Sequence, residues 1–211
     1  MLPSLYLILD VDTIQARDDA MGVVEVAQAA LAAGARLLQY RAKQTSGLEM
    51  WEHAQQLAIL CAAYNARLMI NDRADVARAA GAAGVHRPSA GLPLRALKAA
   101  CAAGAWLGVS AHTPQDLDEA SRQGATFATI SPVWETSSKP GYGPVLGPER
   151  LAELCAAHTL PLYALGGVTP ARARACRDAG CAGVAVMSGI VSAPDPYDAT
   201  AHYLDAWDAQ G

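Results

Sequence analysis

Short apolar runs recur along the chain, and each follows an alanine-rich segment that ends in glycine. The pattern occurs five times, as "ALAAGARLLQYR", "ARAAGAAGVHR", "ACAAGAWLGVS", "SRQGATFATIS" and "CRDAGCAGVAVMS". Glycine readily adopts the left-handed conformation that ends a helix, so each pattern predicts a helix end followed by a strand. The five glycines are Gly34, Gly81, Gly104, Gly124 and Gly180. The runs are apolar on both faces, which is typical of parallel strands covered by helices.

Three further apolar runs, "SLYLILD", "ARLMIND" and "LPLYALGG", complete a set of eight predicted strands. The strands start near residues 5, 36, 67, 84, 106, 126, 161 and 183, with helical patterns between them. We therefore predict an α/β fold, a single-domain (β/α)₈ TIM barrel that spans residues 1–211. The alternative is a doubly wound open sheet. That fold usually has fewer strands and a glycine fingerprint after the first, and "LILDVDTIQARDD" contains no glycine.

Composition and charge exclude several classes of function. The 211 residues are 52% apolar and carry a formal net charge of −4, without a basic stripe. This argues against nucleic acid and anionic membranes as partners. No apolar run reaches the roughly 20 residues that a membrane helix needs. The start of the chain lacks the basic region of a signal peptide, and the five cysteines form no C-x-x-C pair, so we predict a cytoplasmic protein with reduced thiols. Whether the protein forms a homo-oligomer stays open.

Polar residues follow directly after the second and third predicted strands. Gln39, Arg41 and Lys43 alternate, so they point the same way, and two cations beside an amide suit a phosphate. The third strand ends in Asn71 and Asp72. Their side-chain oxygens suit Mg²⁺ on a diphosphate, whereas the alternative is a cap on the following helix.

Later strands end in small or hydroxyl-bearing residues. Ser110 and His112 follow the fifth strand, and His86 ends the fourth, where a structural role is the more common one. Glycine-rich stretches after the seventh and eighth strands predict a phosphate site built from backbone N–H groups. The residues of that site are Gly166, Gly167, Ser188 and Gly189. Two anion sites predict two phosphorylated substrates or one long one.

Taken together, these motifs resemble the thiamine phosphate synthase family and its TenI-type relatives. The resemblance covers nearly the whole chain and is carried by "QYRAK", "INDRADVARAAGAAGVH", "LGVSAHT", "SPVWETSSKPGYGP", "YALGGVTP" and "AGVAVMSGI". It implies a TIM-barrel enzyme of thiamine biosynthesis. In such an enzyme hydroxymethylpyrimidine diphosphate loses diphosphate, and the nitrogen of hydroxyethylthiazole phosphate attacks the resulting carbocation.

The resemblance also implies roles for individual residues. Gln39 would contact the pyrimidine, and Asp72 would be a Mg²⁺ ligand. The diphosphate would be held by Arg41, Lys43, Asn71, Ser110 and Lys139. The thiazole phosphate would be held by Thr136, Ser138, Gly167 and Ser188. We expect Arg41, Lys43, Ser110 and Lys139 to be the catalytic members, because they would stabilise the departing diphosphate.

At two positions the chain departs from the patterns of its relatives. Gly91 stands where synthases have a second Mg²⁺ carboxylate, and Pro132 stands where a TenI-type tautomerase has its proton-carrying histidine. A synthase is the preferred interpretation, because a tautomerase has no use for a diphosphate site. The alternatives are a thiazole phosphate tautomerase with His86 or His112 as its base, or a catalytically silent protein that binds or senses these ligands.

Overall fold

Eight parallel strands close into a barrel in the computed structural model, which describes residues 2–136 and 144–209. The strands are β1 (Leu5–Asp10), β2 (Leu37–Arg41), β3 (Arg67–Asn71), β4 (Gly84–Arg87), β5 (Trp106–Ala111), β6 (Phe127–Ile130), β7 (Leu162–Ala164) and β8 (Gly183–Val186). They pair in chain order, and β1 closes the barrel on β8. This closure confirms the predicted TIM barrel and excludes the open sheet. That one domain extends over residues 1–211 stays a prediction.

Helices cover the outside of the barrel. They are α1 (Val11–Gln15), α2 (Val23–Ala32), α3 (Gly47–Ala63), α4 (Ala74–Ala79), α5 (Leu94–Ala100), α6 (Pro114–Arg122), α7 (Gly147–Ala157), α8 (Pro170–Asp178), α9 (Ser188–Val191) and α10 (Pro196–Asp208). The five glycines predicted to end helices all have positive φ, between 69° at Gly81 and 115° at Gly34. Within the described residues, no helix has both the length and the hydropathy that crossing a membrane requires.

The barrel interior is filled by an inner cluster of aromatic and aliphatic side chains. Tyr6, Phe127 and Tyr163 are fully buried, and their rings meet at centroid distances of 5.2 to 5.6 Å. Gly108 makes room for this packing, because a β-carbon there would lie 2.8 Å from the Phe127 ring and 2.5 Å from Nδ1 of His86. The filled interior leaves the carboxyl ends of the strands as the place for a ligand cavity.

Candidate active site

A cavity of about 1200 Å³ opens at the carboxyl ends of the strands. It is lined by every predicted site residue that the structure describes: Gln39, Arg41, Lys43, Asn71, Asp72, Ser110, Thr136, Gly166, Gly167, Ser188 and Gly189. His86 and His112 line it as well. Ser138 and Lys139 lie outside the described residues. The strand-end positions therefore come together in one cavity, while their individual roles stay predictions.

Arg41 is held at the rim of the cavity by a carboxylate from the neighbouring strand. Asp10 and Arg41 are register partners at the ends of β1 and β2, and Nη1 of Arg41 donates to Oδ2 of Asp10. The other carboxylate oxygen of Asp10 accepts hydrogen bonds from the backbone N–H and the hydroxyl of Thr13, at 3.1 and 2.7 Å. Since Asp10 is only 4% exposed, the pair holds the guanidinium in one place before a ligand binds.

Asp72 follows β3 in a left-handed backbone conformation, with φ at 63°. Its N–H donates to the carbonyl oxygen of His86 at 2.9 Å. Aspartate tolerates this conformation better than most residues, although it still costs energy, and such positions cluster at functional sites. The helix-cap alternative is not met, because α4 begins after Arg73 without a side-chain cap.

Gly91 lies next to Asp72, so an acidic residue at position 91 would place a second carboxylate beside that of Asp72. A β-carbon built on Gly91 would lie 3.0 Å from Oδ1 of Asp72, so the two positions adjoin. In residues 2–136 and 144–209, no group of three or more His, Cys, Asp or Glu side chains is arranged to hold a metal. Mg²⁺ can be held by one or two carboxylates when substrate phosphates and water supply the other ligands. Asp72 fits that minimal set, with the phosphates of a substrate as the remaining donors.

Four polar side chains form a hydrogen-bonded chain across the floor of the cavity. Nε2 of Gln39 donates to the hydroxyl of Tyr6 at 2.7 Å, and that hydroxyl meets Nδ1 of His86 at 3.2 Å. Nε2 of His86 meets Oγ of Ser110 at 3.0 Å. Because the Gln39 amide can only donate here, the Tyr6 hydroxyl donates onward to Nδ1, and the neutral imidazole donates from Nε2 to Ser110. The hydroxyl proton of Ser110 is then left to donate to a ligand.

Burial keeps the side chains of this hydrogen-bonded chain uncharged. Desolvation, followed by the positive charge of Arg87, lowers the pKa of His86 to about 3. Burial also raises the pKa of Tyr6 above its ordinary value, and the hydrogen bond from Gln39 only partly opposes this shift. At neutral pH both groups are therefore neutral, which is the state in which Tyr6 can donate to Nδ1 of His86 and Nε2 can donate to Ser110. With a pKa this low, His86 is a poor proton acceptor at neutral pH.

Glycine backbone and an arginine form the opposite side of the cavity. Gly166 and Gly167 have φ values of 93° and 64°, and a β-carbon on Gly167 would lie 2.3 Å from the carbonyl oxygen of Glu135. Arg172, in the first turn of α8, donates to the carbonyl oxygen of Gly167 at 2.6 Å and lies over the Trp134 ring at 5.1 Å. Small residues are needed where the segment after β6 packs this closely on the turn after β7.

Sequence reasoning missed four residues of this site. Asp10 follows the same strand-end rule as Arg41, so applying that rule to the first strand would have found it. Tyr6 and Thr129 lie within apolar runs, and Arg172 lies in a helix, so no pattern marks them. Thr129 is 1% exposed, and its hydroxyl is one of two buried side-chain polar atoms without a hydrogen-bond partner among the described residues. It lines the cavity, where a ligand could satisfy it.

His112 lies beside the position where a tautomerase carries its histidine. Its Nδ1 is 2.8 Å from the carbonyl oxygen of Ser131, the residue before Pro132. Both residues line the cavity. An imidazole from the end of β5 therefore reaches the start of the segment after β6.

Comparisons with known proteins agree with this geometry. A family model described as thiamine monophosphate synthase matches residues 5–190. The thiamine-phosphate synthase of Laribacter hongkongensis is 38% identical over 193 residues, which cover 92% of this chain and 90% of the relative. That of Salinibacter ruber is 34% identical over 97% of this chain and 88% of the relative. Among solved structures, thiamine phosphate pyrophosphorylase from Pyrococcus furiosus is 28% identical with a TM-score of 0.85, covering 97% of this chain and 95% of its own.

Proposed function

The chain belongs to the thiamine monophosphate synthase family, which makes it an enzyme of thiamine biosynthesis, and we propose that it joins hydroxymethylpyrimidine diphosphate to hydroxyethylthiazole phosphate. The reaction breaks the bond between the pyrimidine methylene carbon and diphosphate, and forms a bond from that carbon to the thiazole nitrogen. One observation carries the proposal: a single cavity is lined by cations on one side and by glycine-rich backbone on another. Two phosphorylated substrates would require such an arrangement.

The cationic side suits the departing diphosphate. Arg41 ends β2, Lys43 follows two residues later, and Asn71 ends the adjacent β3. A leaving group that departs with its electron pair needs positive charge that is already in position as the bond lengthens. The ion pair with Asp10 supplies that position for Arg41, and a guanidinium has five N–H donors, so bonding to Asp10 uses part of its capacity.

A metal ion would add to this charge. Asp72 is the carboxylate that would hold Mg²⁺, and a bound Mg²⁺ would neutralise charge on the diphosphate. With Gly91 in place of a second carboxylate, we expect weaker Mg²⁺ binding than a two-carboxylate site would give. The substrate diphosphate would then contribute a large share of the ligands.

The uncharged floor suits a developing carbocation. A protonated His86 would repel positive charge on the pyrimidine methylene carbon, and the low pKa of His86 avoids that repulsion. The thiazole nitrogen attacks with its lone pair and has no proton to lose, so this reaction needs no general base. Gln39 is held at the floor by the Tyr6 hydroxyl, where its amide can pair with a ring nitrogen or amino group of the pyrimidine.

The glycine-rich side suits the thiazole phosphate. Gly166 and Gly167 lead into α8, whose N-terminal N–H groups favour an anion. Thr136, Ser188 and Gly189 also line this part of the cavity, and Arg172 adds a cation held by Gly167. Ser138 and Lys139 are proposed to contribute from the segment that lies outside the described residues.

The test is a coupled measurement of both products. The purified full chain, given both substrates and Mg²⁺, should form thiamine phosphate and diphosphate in equal amounts. Omitting either substrate should stop both, and a chelator should slow both. Absence of product from protein that still binds thiazole phosphate would refute the synthase proposal.

A second candidate function is a thiazole phosphate tautomerase, favoured by the position of His112 beside Ser131. Here His112 would move the proton, since the low pKa of His86 makes that residue a poor base. An isomer-resolved assay on the non-aromatic thiazole phosphate should then show turnover without metal. A rate unchanged in His112→Ala would exclude this base. A protein that binds thiazole phosphate without turnover in either assay would be a silent relative.

A further inference from the structure

We infer that Cys155 and Cys181 form a reactive dithiol, which a hydroperoxide converts into a reversible disulfide on the amino-terminal face of the barrel. The Sγ atoms of the two residues are 3.5 Å apart. A disulfide needs about 2.0 Å, so the thiols are in contact but not bonded. All five cysteines are free thiols, which makes this pair available for oxidation.

The backbone around the pair already has the proximity that a disulfide requires. Cys155 lies in the last turns of α7, and Cys181 comes just before β8. A β-carbon built on Gly180 would lie 3.4 Å from the β-carbon of Cys155, so the turn that carries Cys181 packs directly against α7. Closing the remaining gap between the sulfur atoms therefore requires small side-chain adjustments rather than a movement of either element.

The two thiols differ in exposure and in chemistry. Cys155 is partly exposed, whereas Cys181 is 7% exposed. The hydrogen bond between them lowers the pKa of Cys155, and the same bond, together with burial, raises the pKa of Cys181. Cys155 is therefore the thiol that loses its proton more readily, and the Cys181 thiol can donate a hydrogen bond to the resulting thiolate. The reachable sulfur is the nucleophilic one, and its partner is protected from direct oxidation.

Oxidation then proceeds in two balanced steps. The Cys155 thiolate attacks one oxygen of hydrogen peroxide, the O–O bond breaks, and sulfenic acid and hydroxide form. The Cys181 sulfur attacks the sulfenic sulfur, the S–S bond forms, and the S–O bond breaks. The departing hydroxide leaves as water with the proton of Cys181. A small-molecule dithiol reverses the reaction by thiol–disulfide exchange.

The location separates this chemistry from the cavity. Cys181 precedes β8 at its amino end, whereas the cavity lies at the carboxyl ends of the strands, and neither cysteine lines it. The amino-terminal face of such barrels serves stability rather than catalysis. The disulfide would link α7 to the start of β8 and constrain the unfolded chain across the 26 positions that separate the two cysteines. It should therefore stabilise the protein without altering its site.

The test uses the reduced, full-length protein treated with hydrogen peroxide and mapped as unreduced peptides. We expect one cross-link, Cys155–Cys181, with the loss of two hydrogens and two titratable thiols. Cys155→Ser and Cys181→Ala should abolish it, whereas Cys176→Ser, which removes the buried neighbouring thiol of α8, should retain it. Peroxide that leaves the pair reduced, stops at oxidised Cys155 alone, or joins another pair of cysteines overturns the inference.

Thermal unfolding supplies a second measurement, made first on the wild-type protein. The oxidised wild-type protein should unfold at a higher temperature than the reduced protein, and dithiothreitol should reverse the gain. Cys155→Ser should give the same Tm with and without peroxide, and it should bind inorganic phosphate as the wild type does. A lower Tm after oxidation would show that the geometry does not accommodate the bond, and would overturn the inference.

Discussion

Asp10 and Arg41 pair across β1 and β2 at the rim of the cavity, so a buried carboxylate orients the cation predicted to hold the diphosphate. The Arg41 side chain keeps 20% of its surface exposed, whereas that of Asp10 keeps 6%. The pair therefore presents positive charge to the cavity and keeps the negative charge behind it.

Asp10→Asn tests this arrangement. The amide can still cap α1 through Thr13, so the fold should persist, while Arg41 loses the charge that holds it. A charged hydrogen bond contributes about 1.5–3 kcal/mol, so we expect kcat/KM for the diphosphate substrate to fall on the order of 10- to 100-fold. Glu153→Gln is a matched control, because it neutralises the carboxylate of an exposed ion pair with Arg150. Unchanged kinetics in Asp10→Asn would show that Arg41 needs no orientation.

Tyr6→Phe removes the hydroxyl that joins Gln39 to His86. Both neighbours lose a buried partner, so the free energy of unfolding should fall by about 1–3 kcal/mol, and catalysis should fall through the loss of a fixed Gln39 amide. Urea unfolding and steady-state kinetics measure the two effects. Tyr163→Phe is the control. It removes a hydroxyl from the same aromatic cluster, but that hydroxyl donates to the carbonyl oxygen of Pro3. If kcat/KM falls equally in both variants, the hydrogen-bonded chain through Tyr6 has no special role in catalysis.

The low pKa of His86 predicts how stability depends on pH. The unfolded chain binds a proton near pH 6.5 that the folded protein takes up only near pH 3. The stabilisation is therefore complete above pH 6.5 and is lost as the pH falls from there towards 3. By linkage, the contribution of His86 to the free energy of unfolding should fall by about 2 kcal/mol as the pH is lowered from 7 to 5.

Urea unfolding at these two pH values measures this effect. The difference between pH 7 and pH 5 should shrink in His86→Gln, while substitution of the exposed His202 by Gln should leave it as in the wild type. An equal pH dependence in wild type and His86→Gln would mean that His86 is protonated readily in the folded protein.

Gly91→Asp should strengthen a metal site at Asp72. The new side chain would start 3.0 Å from Oδ1 of Asp72, so two carboxylates would adjoin and repel each other without a cation. We expect a lower Tm in a chelator, a larger rise in Tm with Mg²⁺ than in the wild type, and saturation of activity at lower Mg²⁺. Gly91→Asn, which has the same shape without the charge, should show none of the Mg²⁺ effects. If Gly91→Asp and Gly91→Asn respond alike, the two positions do not share a metal.

Thr129→Val separates a ligand-binding hydroxyl from a structural one. The buried hydroxyl has no partner among the described residues, so its removal should keep or raise stability by about 1 kcal/mol. If a ligand satisfies this hydroxyl, the Kd for substrate should rise at the same time. Thr200→Val should instead lower the stability and leave the Kd for substrate unchanged, because the Thr200 hydroxyl donates to the carbonyl oxygen of Pro196 at 2.7 Å. Calorimetry and ligand titration would show whether stability and affinity change in opposite directions.

The barrel was predictable because its strands leave a local signal. Each predicted strand start lies within one residue of the observed one. A glycine with positive φ precedes five of the strands, and the other three are short apolar runs. The strand-end rule also located Arg41 and Ser110. It could not reveal that Asp10 pairs with Arg41, or that Tyr6 links Gln39 to His86, because these contacts depend on the register between strands. The sequence also does not indicate which way a polar side chain inside an apolar run faces, as for the hydroxyl of Thr129.

The buried rings of Tyr6, Phe127 and Tyr163 have a kinetic consequence. They fill the interior below the cavity, so ligands arrive and depart through the opening at the carboxyl ends of the strands. In the proposed reaction, a substrate resting on Gln39 at the floor would be covered if the second substrate bound directly above it. We then expect the deeper substrate to bind first and the product nearer the solvent to leave first. Product-inhibition patterns would show such an order, and a random pattern would show that the two substrates bind side by side.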